Sequence, residues 1–428
     1  MKKIKNNILY KNIMILLITG ALSKIIGMIS KIMYTRISGI EVIGLFTLIS
    51  PCFMLFINLS MFSFPISISK ICAEDKYKNE DLLKNAYFLS IIINIFLSII
   101  ILLTANKIVS LLHNNSLKIC VISIILIIPF ISINSIQRGF LNGKEDMLMP
   151  SITNIIEEII KIILIIIVLP IAIKYNNIIA VTTLILFNVV TELCTVIILN
   201  KKIKNKYVNK NGKIKKYILK DMFKISYQTT SVRLISLIGF FLEPIILTNL
   251  LTKQGLDINY ITKEYGIINS YILPLLSMPT FFIIAISQAL LPNVTKLYAN
   301  KNNKEFINKI VKLSILSLII GIISITVILI FPDLFLRLIY NINYGKHYLY
   351  LIGPFFLILY IQPVLQVVMQ ASNKTKKMMY VSIISVSIKY MSLYLFCKNG
   401  FGINSLIYSI MIGISLNTFL LGYFVTKK

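Results

Sequence analysis

Within the apolar stretch 152–173, Asn154, Glu157, Glu158 and Lys161 fall at i, i+3, i+4 and i+7. On a helix that spacing draws one polar face along an Ile-rich segment. Glu157 stands four residues before Lys161, the better order for an intrahelical ion pair. A self-neutralised pair is therefore expected, with Glu158 left over on a face that borders a wet cavity. In 178–199, Asn188, Glu192 and Thr195 make a narrower stripe, which suits structural pairing or substrate contact. In 226–250, Thr229, Arg233 and Ser236 share a face, and Glu243 and Pro244 follow ten residues later. At about 1.5 Å per residue, Arg233 and Glu243 lie roughly 15 Å apart and cannot pair directly. Pro244 removes a helix hydrogen bond and permits a bend, read as a gate or as a packing irregularity. Lys389 sits near the middle of 378–397 with Ser385 and Ser392 on its face. Snorkelling from that depth is costly, so a cavity role is expected. Lys24, Lys31 and Arg36 run outward along 9–33 and just beyond it. Lys31 and Arg36 can snorkel to headgroups, whereas Lys24 is deeper. Gly20 and Gly27, spaced at seven, allow close approach of another helix.

An ionisable group in an apolar span costs several kcal/mol unless it is paired or faces water, so each of these is a functional candidate. Together they combine at least four cations with four acids. Cations in a wet cavity suit a phosphate or pyrophosphate, which takes strong charge-assisted hydrogen bonds. A purely acidic cavity would suit organic cations or proton coupling. Other chemistries find little support. The two histidines, His113 and His347, are far apart, and the five cysteines show no CxxC spacing. There is no P-loop for ATP. Neither catalysis, a metal nor a cofactor is expected.

The elements that must hold these residues follow from composition. The 428 residues are 57% hydrophobic and only 14% charged, with a mean hydropathy of +0.83. That excess is too large for one soluble core. Twelve runs are long enough to span a bilayer: 9–33, 43–64, 85–105, 119–137, 152–173, 178–199, 226–250, 266–290, 313–331, 349–370, 378–397 and 403–425. Backbone groups in lipid must be paired internally, so the runs are helices. The expected fold is all-α: a polytopic membrane protein of about twelve transmembrane helices in two pseudo-symmetric six-helix lobes. The formal net charge of +28 then belongs to loops at an anionic membrane face, not to nucleic-acid binding. With both termini cytoplasmic, inner segments carry 30 Lys and Arg and outer loops 10. A multi-pass protein of the cell membrane with cytoplasmic ends is expected.

The basic stretch 201–224 separates an N-terminal lobe, 1–200, from a C-terminal lobe, 225–428, and reads as a solvated linker near anionic lipid. The lobes echo each other. Pro65 to Ala73 contains Ser69-Lys70-Ile71, and Pro292 to Ala299 contains Thr295-Lys296-Leu297. A weaker echo relates Asn142, Met147 and Ser151 to Asn373, Met378 and Ser382, at an offset of 231 against 226 for the first. A six-span repeat enters the membrane from one side each time, and in transporters the cavity lies between such repeats.

Several motifs extend this reading. They are Ser23-Lys24-Ile-Ile-Gly27 with Lys31 and Arg36; Phe64-Pro65 to Lys70 and Glu74; Gln137-Arg138-Gly139 to Lys144; Ile156-Glu157-Glu158 to Lys161; Thr191-Glu192; Phe241-Leu242-Glu243-Pro244; and Gly353-Pro354 to Gln362-Pro363. With them, essentially the whole chain resembles the polysaccharide-transport branch of the multidrug/oligosaccharidyl-lipid/polysaccharide exporter superfamily, in particular its sporulation-associated members. The resemblance implies a flippase-like transporter of lipid-linked cell-wall precursors working by alternating access, with membrane lipids and cell-wall synthesis enzymes as partners. In the related murein lipid flippases, basic residues of the first span engage the lipid pyrophosphate, and Lys24 and Lys31 match those positions. Larger relatives carry fourteen spans, the last two handling the lipid tail; twelve are expected here. On this reading Lys24, Lys31, Arg36, Arg233 and Lys389 attract the anionic headgroup. Glu157, Glu158, Lys161, Glu192, Glu243 and Pro244 serve as cavity acids, their cation partner and a gate. Lys70, Arg138, Gly139 and Lys296 belong to cytoplasmic loop motifs. The alternatives are a cation-coupled drug or metabolite antiporter of the same superfamily, using Glu157, Glu192 and Glu243, and a non-transporting scaffold for wall-synthesis enzymes.

Overall fold

The computed structural model describes residues 2–207, 212–300, 303–372 and 374–426. Asn373 and the side chains of Ser236 and Pro292, which belong to the expected motifs, lie outside the described residues. Among those described the chain is helical, with no strand. Among the described residues, nine stretches have the length and apolarity to cross a bilayer; one of them, Leu22–Ala73, is 52 residues long and takes in the end of the run 9–33 and all of 43–64. Each of the twelve expected runs falls mainly on helix, although 43–64, 152–173 and 349–370 are each interrupted where one helix gives way to the next.

The chain divides into two compact units, Met1–Phe241 and Leu242–Lys428. In the first, α1 (Lys2–Met61) is kinked at Gly39, whose φ of 73° and ψ of 173° only glycine adopts without strain. The expected runs 9–33 and 43–64 thus lie on either side of that kink. α2 (Phe64–Ala73) starts behind a left-handed Ser63 with Pro65 in its first turn, where the missing N–H costs nothing. α3 (Asn79–Leu111), α4 (Lys118–Gly143) and α5 (Leu148–Ile167) follow. Pro170 ends the α5 path and opens the short α6 (Leu169–Tyr175), which leads to α7 (Asn177–Tyr207). At about 1.5 Å per residue, the 33 residues of α3 extend well past a 30 Å bilayer core.

α8 (Lys216–Lys253) crosses the division between units. Its first turns belong to unit 1, because Ile218 and Met222 are buried in one cluster with Phe64, Ile68, Leu82, Phe140 and Leu199. The division therefore falls later than the boundary at 225 suggested by the basic linker.

Unit 2 continues with α9 (Ile258–Gly266), capped by the Asp257 carboxylate on the N–H groups of Asn259 and Tyr260. A wider π-type turn, Ile267–Ile272, joins it to α10 (Leu273–Ala299). Then come α11 (Asn303–Ile330), the short α12 (Pro332–Phe335), α13 (Lys346–Leu359), α14 (Gln362–Ala371), α15 (Thr375–Lys398) and α16 (Asn404–Thr426). Tyrosines dominate the largest buried side chains: Tyr265, Tyr271, Tyr340, Tyr348 and Tyr360. A buried phenol needs an acceptor, and Tyr265, Tyr348 and Tyr360 have one. Tyr360 donates to the Leu276 carbonyl at 2.6 Å, and Tyr348 and Tyr344 donate to the buried Glu264 at 2.5 and 2.9 Å.

Candidate functional site

The polar residues of unit 1 gather where α4, α5 and α7 meet. Arg138 on α4 is the hub. Its guanidinium reaches Glu157 Oε2 on α5 at 2.8 Å, and its Nε donates to Asn134 Oδ1, one turn back, at 2.8 Å. The Asn134 amide donates in turn to Glu192 of α7, and to Thr195 Oγ1 at 3.0 Å. Lys161 donates to Asn188 Oδ1 at 3.3 Å. The expected Glu157–Lys161 pair is thus replaced by two interhelical contacts. A forked guanidinium on a neighbouring helix matches a carboxylate better than an ammonium on the same helix. Arg138, expected in a loop motif, lies inside α4 because nothing in the sequence breaks that helix before Gly143.

Glu158, with no side-chain hydrogen bond or ion pair among the described residues, lies against α1. A Cβ on Gly27 would sit 3.2 Å from Glu158 Oε1, so the glycine makes room for the carboxylate. Gly20 meets nothing within 4 Å, so only one of the two expected close approaches occurs. The cluster brings two cations, Arg138 and Lys161, together with three acids, Glu157, Glu158 and Glu192. Beside it, Ser60, Asn94 and Ser132 link α1, α3 and α4 by hydrogen bonds of 2.9 and 2.7 Å.

In unit 2, Lys389 of α15 meets Glu243 of α8 at 2.5 Å, with Glu243 1% and Lys389 23% exposed. Tyr265 donates to the other carboxylate oxygen at 3.2 Å. A Cβ on Gly413 of α16 would stand 3.3 Å from the Lys389 stem, so here too a glycine gives passage to a charged side chain. Lys389 is therefore committed to an internal acid. Pro244 is buried beside Glu243, and α8 continues through it. Ser385, on the Lys389 face, is buried with its hydroxyl unpaired.

The remaining expected site residues are placed differently. Lys24, Arg36 and Arg233 are exposed and Lys31 is half-buried. Lys24, Lys31 and Arg233 have no ion pair or side-chain hydrogen bond among the described residues. Lys70 and Lys296 sit exposed in the last turns of α2 and α10, where a cation complements the helix dipole. A Cβ on Gly139 would lie 2.9 Å from Pro65 Cα, so α4 crosses α2 at that residue.

The basic stretch 201–224 is not free of the fold. Lys215 pairs with Asp81 at 2.6 Å and Lys76 with Asp221 at 2.6 Å. The Lys213 amide donates to Asp81, the Lys215 amide to Asn85, and Tyr77 to Asp221 at 2.7 Å. Hydrogen bonds from Lys76 and then Tyr77 hold the Asp221 carboxyl below its usual range. The Asp221 hydrogen bond raises Lys76, and the Asp81 hydrogen bond raises Lys215. Lys206 and Lys202 close on Asp146 at 3.2 and 4.0 Å. Sequence reading missed this clasp, and it missed Asn134 and Tyr265. The i, i+4 spacing of Asn134 and Arg138 was the available signal for the cluster.

A family model described as polysaccharide biosynthesis protein matches residues 9–298, and one described as MatE matches residues 268–395. Stage V sporulation protein B of Bacillus subtilis (strain 168) is 26% identical, over 97% of this chain and 83% of that protein. The capsular polysaccharide biosynthesis protein CapF of Staphylococcus aureus is 24% identical, over 82% of each. Among solved structures, an inward-facing multidrug resistance MATE family transporter of the MOP superfamily superposes with a TM-score of 0.71 at 15% identity, covering 94% of this chain and 93% of that one. At that identity the likeness concerns fold: this is an all-α, polytopic, integral membrane protein.

Proposed function

Since the chain belongs to the polysaccharide biosynthesis protein family, we propose that it carries a polyprenyl-pyrophosphate-linked saccharide across the cytoplasmic membrane by alternating access, with both termini cytoplasmic. The observation that carries this reading is the unspent positive charge of Lys24, Lys31 and Arg233. All three lie in apolar helices of unit 1 without an internal acid, whereas Lys389 is neutralised by Glu243. A diphosphate supplies the missing counter-charge. The lipid tail stays in the bilayer, and only the headgroup is moved. Transfer of charge through the membrane field is worth about 2.3 kcal/mol per charge per 100 mV, enough to bias such a cycle without ATP. The relatives named for sporulation and capsule formation support a role in wall or cortex polysaccharide synthesis, alongside the enzymes that make and use the precursor.

The test is translocation of a fluorescent polyprenyl-pyrophosphate sugar in proteoliposomes containing this protein alone. Wild-type protein exposes the sugar to an external lectin, and Lys24→Ala with Arg233→Ala slows this at least about tenfold, the loss of one charge-assisted hydrogen bond or more. A second reading, cation-coupled export of a drug or metabolite, is favoured by the acid excess around Arg138. It prevails if the wild-type protein leaves the lipid-linked sugar inside the vesicles while driving a proton-coupled flux of an organic cation that Glu158→Gln and Glu192→Gln abolish.

A further inference from the structure

The lysines at the basic ends of the two units are used differently. In unit 1, Lys76, Lys144, Lys206 and Lys215 each meet an aspartate. In unit 2 the ion pairs among the described residues are Lys346–Asp333 and Lys389–Glu243, and neither lies near the α10–α11 turn. There a cavity of about 400 Å³ is bounded by Lys296, Lys309 and Lys312, with Asn300, Asn308 and Glu305 on its walls. None of the three lysines has a protein partner among the described residues. The two helix ends are braced by Tyr298 and Phe306, whose rings lie 5.5 Å apart. The cavity is thus held between two helices and not by a loop alone.

Three ammonium groups against one carboxylate leave the pocket net positive, which suits the anionic phosphate of a phosphodiester or a diphosphate. The amides of Asn300 and Asn308 add neutral donors for ester or hydroxyl oxygens. A second feature says where the rest of the ligand goes. Ile307, Val311 and Ile315 are 59%, 47% and 51% exposed. At i, i+4 and i+8 they form an apolar stripe along α11, flanking the face that carries Asn308 and Lys312. A bare apolar stripe on a membrane helix lies against hydrocarbon.

We propose that the α10–α11 pocket binds the anionic phosphate of a lipid headgroup, with the lipid chains lying along Ile307, Val311 and Ile315. The site does not depend on what the protein transports. The phosphate has two candidate sources, a bulk anionic phospholipid and an isoprenyl diphosphate.

Native mass spectrometry of the full-length protein from detergent separates them, with phosphatidylglycerol, farnesyl diphosphate and zwitterionic phosphatidylcholine as probes. The wild type retains phosphatidylglycerol or farnesyl diphosphate over phosphatidylcholine, and whichever is held more tightly identifies the source. The triple variant Lys296→Gln/Lys309→Gln/Lys312→Gln weakens that retention about a hundredfold, at roughly tenfold or less per lysine. Lys253→Gln/Lys376→Gln/Lys398→Gln removes the same charge at exposed positions outside the pocket and leaves retention unchanged. The proposal is overturned if neither anionic probe outcompetes phosphatidylcholine, or if both triple variants lose retention equally. All six substitutions are at exposed or half-buried side chains, so unfolding does not obscure the outcome.

Discussion

Glu243 and Lys389 were each recognisable in the sequence as a charge too deep to ignore; their pairing was not, since 146 residues separate them. Removing one partner of a buried pair strands the other. Glu243→Gln therefore leaves the Lys389 ammonium without its counter-charge and lowers stability by about 3 kcal/mol, somewhat offset by the ammonium's partial exposure. Glu243→Gln/Lys389→Met restores most of that loss, because neither charge then needs compensation. Thermal unfolding of the wild type and these two variants in detergent checks this, and a double variant no more stable than the single would refute the pair. Arg138 shows why residue-level reading fell short. The apolar run stops at residue 137, so the arginine was assigned to a loop, although the helix carries it to the cluster. Arg138→Lys keeps the charge but cannot reach Glu157 and Asn134 at once. It is expected to cost about 1.5 kcal/mol, the worth of one hydrogen bond to a charged group, measured by the same unfolding assay.

At the scale of elements, runs of apolar residues located the helices because lipid leaves the backbone no alternative. Where the helices touch was hidden, because close approach is set by single small residues. Gly139 illustrates the point. A side chain there would meet the Pro65 backbone, which cannot swing aside as a flexible side chain can. Gly139→Val is expected to part α4 from α2 and destabilise the protein by about 2 kcal/mol, whereas Gly20→Val, in open space, is nearly neutral. The clasp on the basic stretch escaped notice for another reason. Its aspartates are few among many lysines, so composition suggested a solvated linker. Asp221 titrates below its ordinary 3.8, so its contribution is complete above that value and disappears as pH falls through the lowered one. Lys76 titrates above its ordinary 10.5, so its contribution holds below that value and fades as pH rises past the raised one. Proteolysis at residues 200–224 should consequently be insensitive to pH between about 5 and 9, and accelerate below about 4. Asp221→Asn should open the stretch at neutral pH.

For the whole molecule, the distribution of charge is the basis of the proposed orientation, on which helix positions alone are silent. Thirty Lys and Arg fall on one set of alternating segments and ten on the other, and the positive-inside rule is the reason the proposed orientation puts the richer set on the cytoplasmic side. The clasp adds a physical reason to keep its side together: Asp81, Asp146 and Asp221 all bind lysines of the same set. The kink of α1 at Gly39 does not disturb the alternation, because it falls between the expected spans 9–33 and 43–64. Single cysteines introduced at Asn115 and Asn399 should therefore react with a membrane-impermeant thiol reagent on intact cells. Cysteines at Lys213 and Lys304 should react only after permeabilisation. The background is low, since Cys52, Cys72, Cys120 and Cys397 are buried and Cys194 is partly so. Labelling of Lys304→Cys from outside would reverse the orientation, and with it the face on which the unspent lysines of the α10–α11 pocket meet anionic lipid.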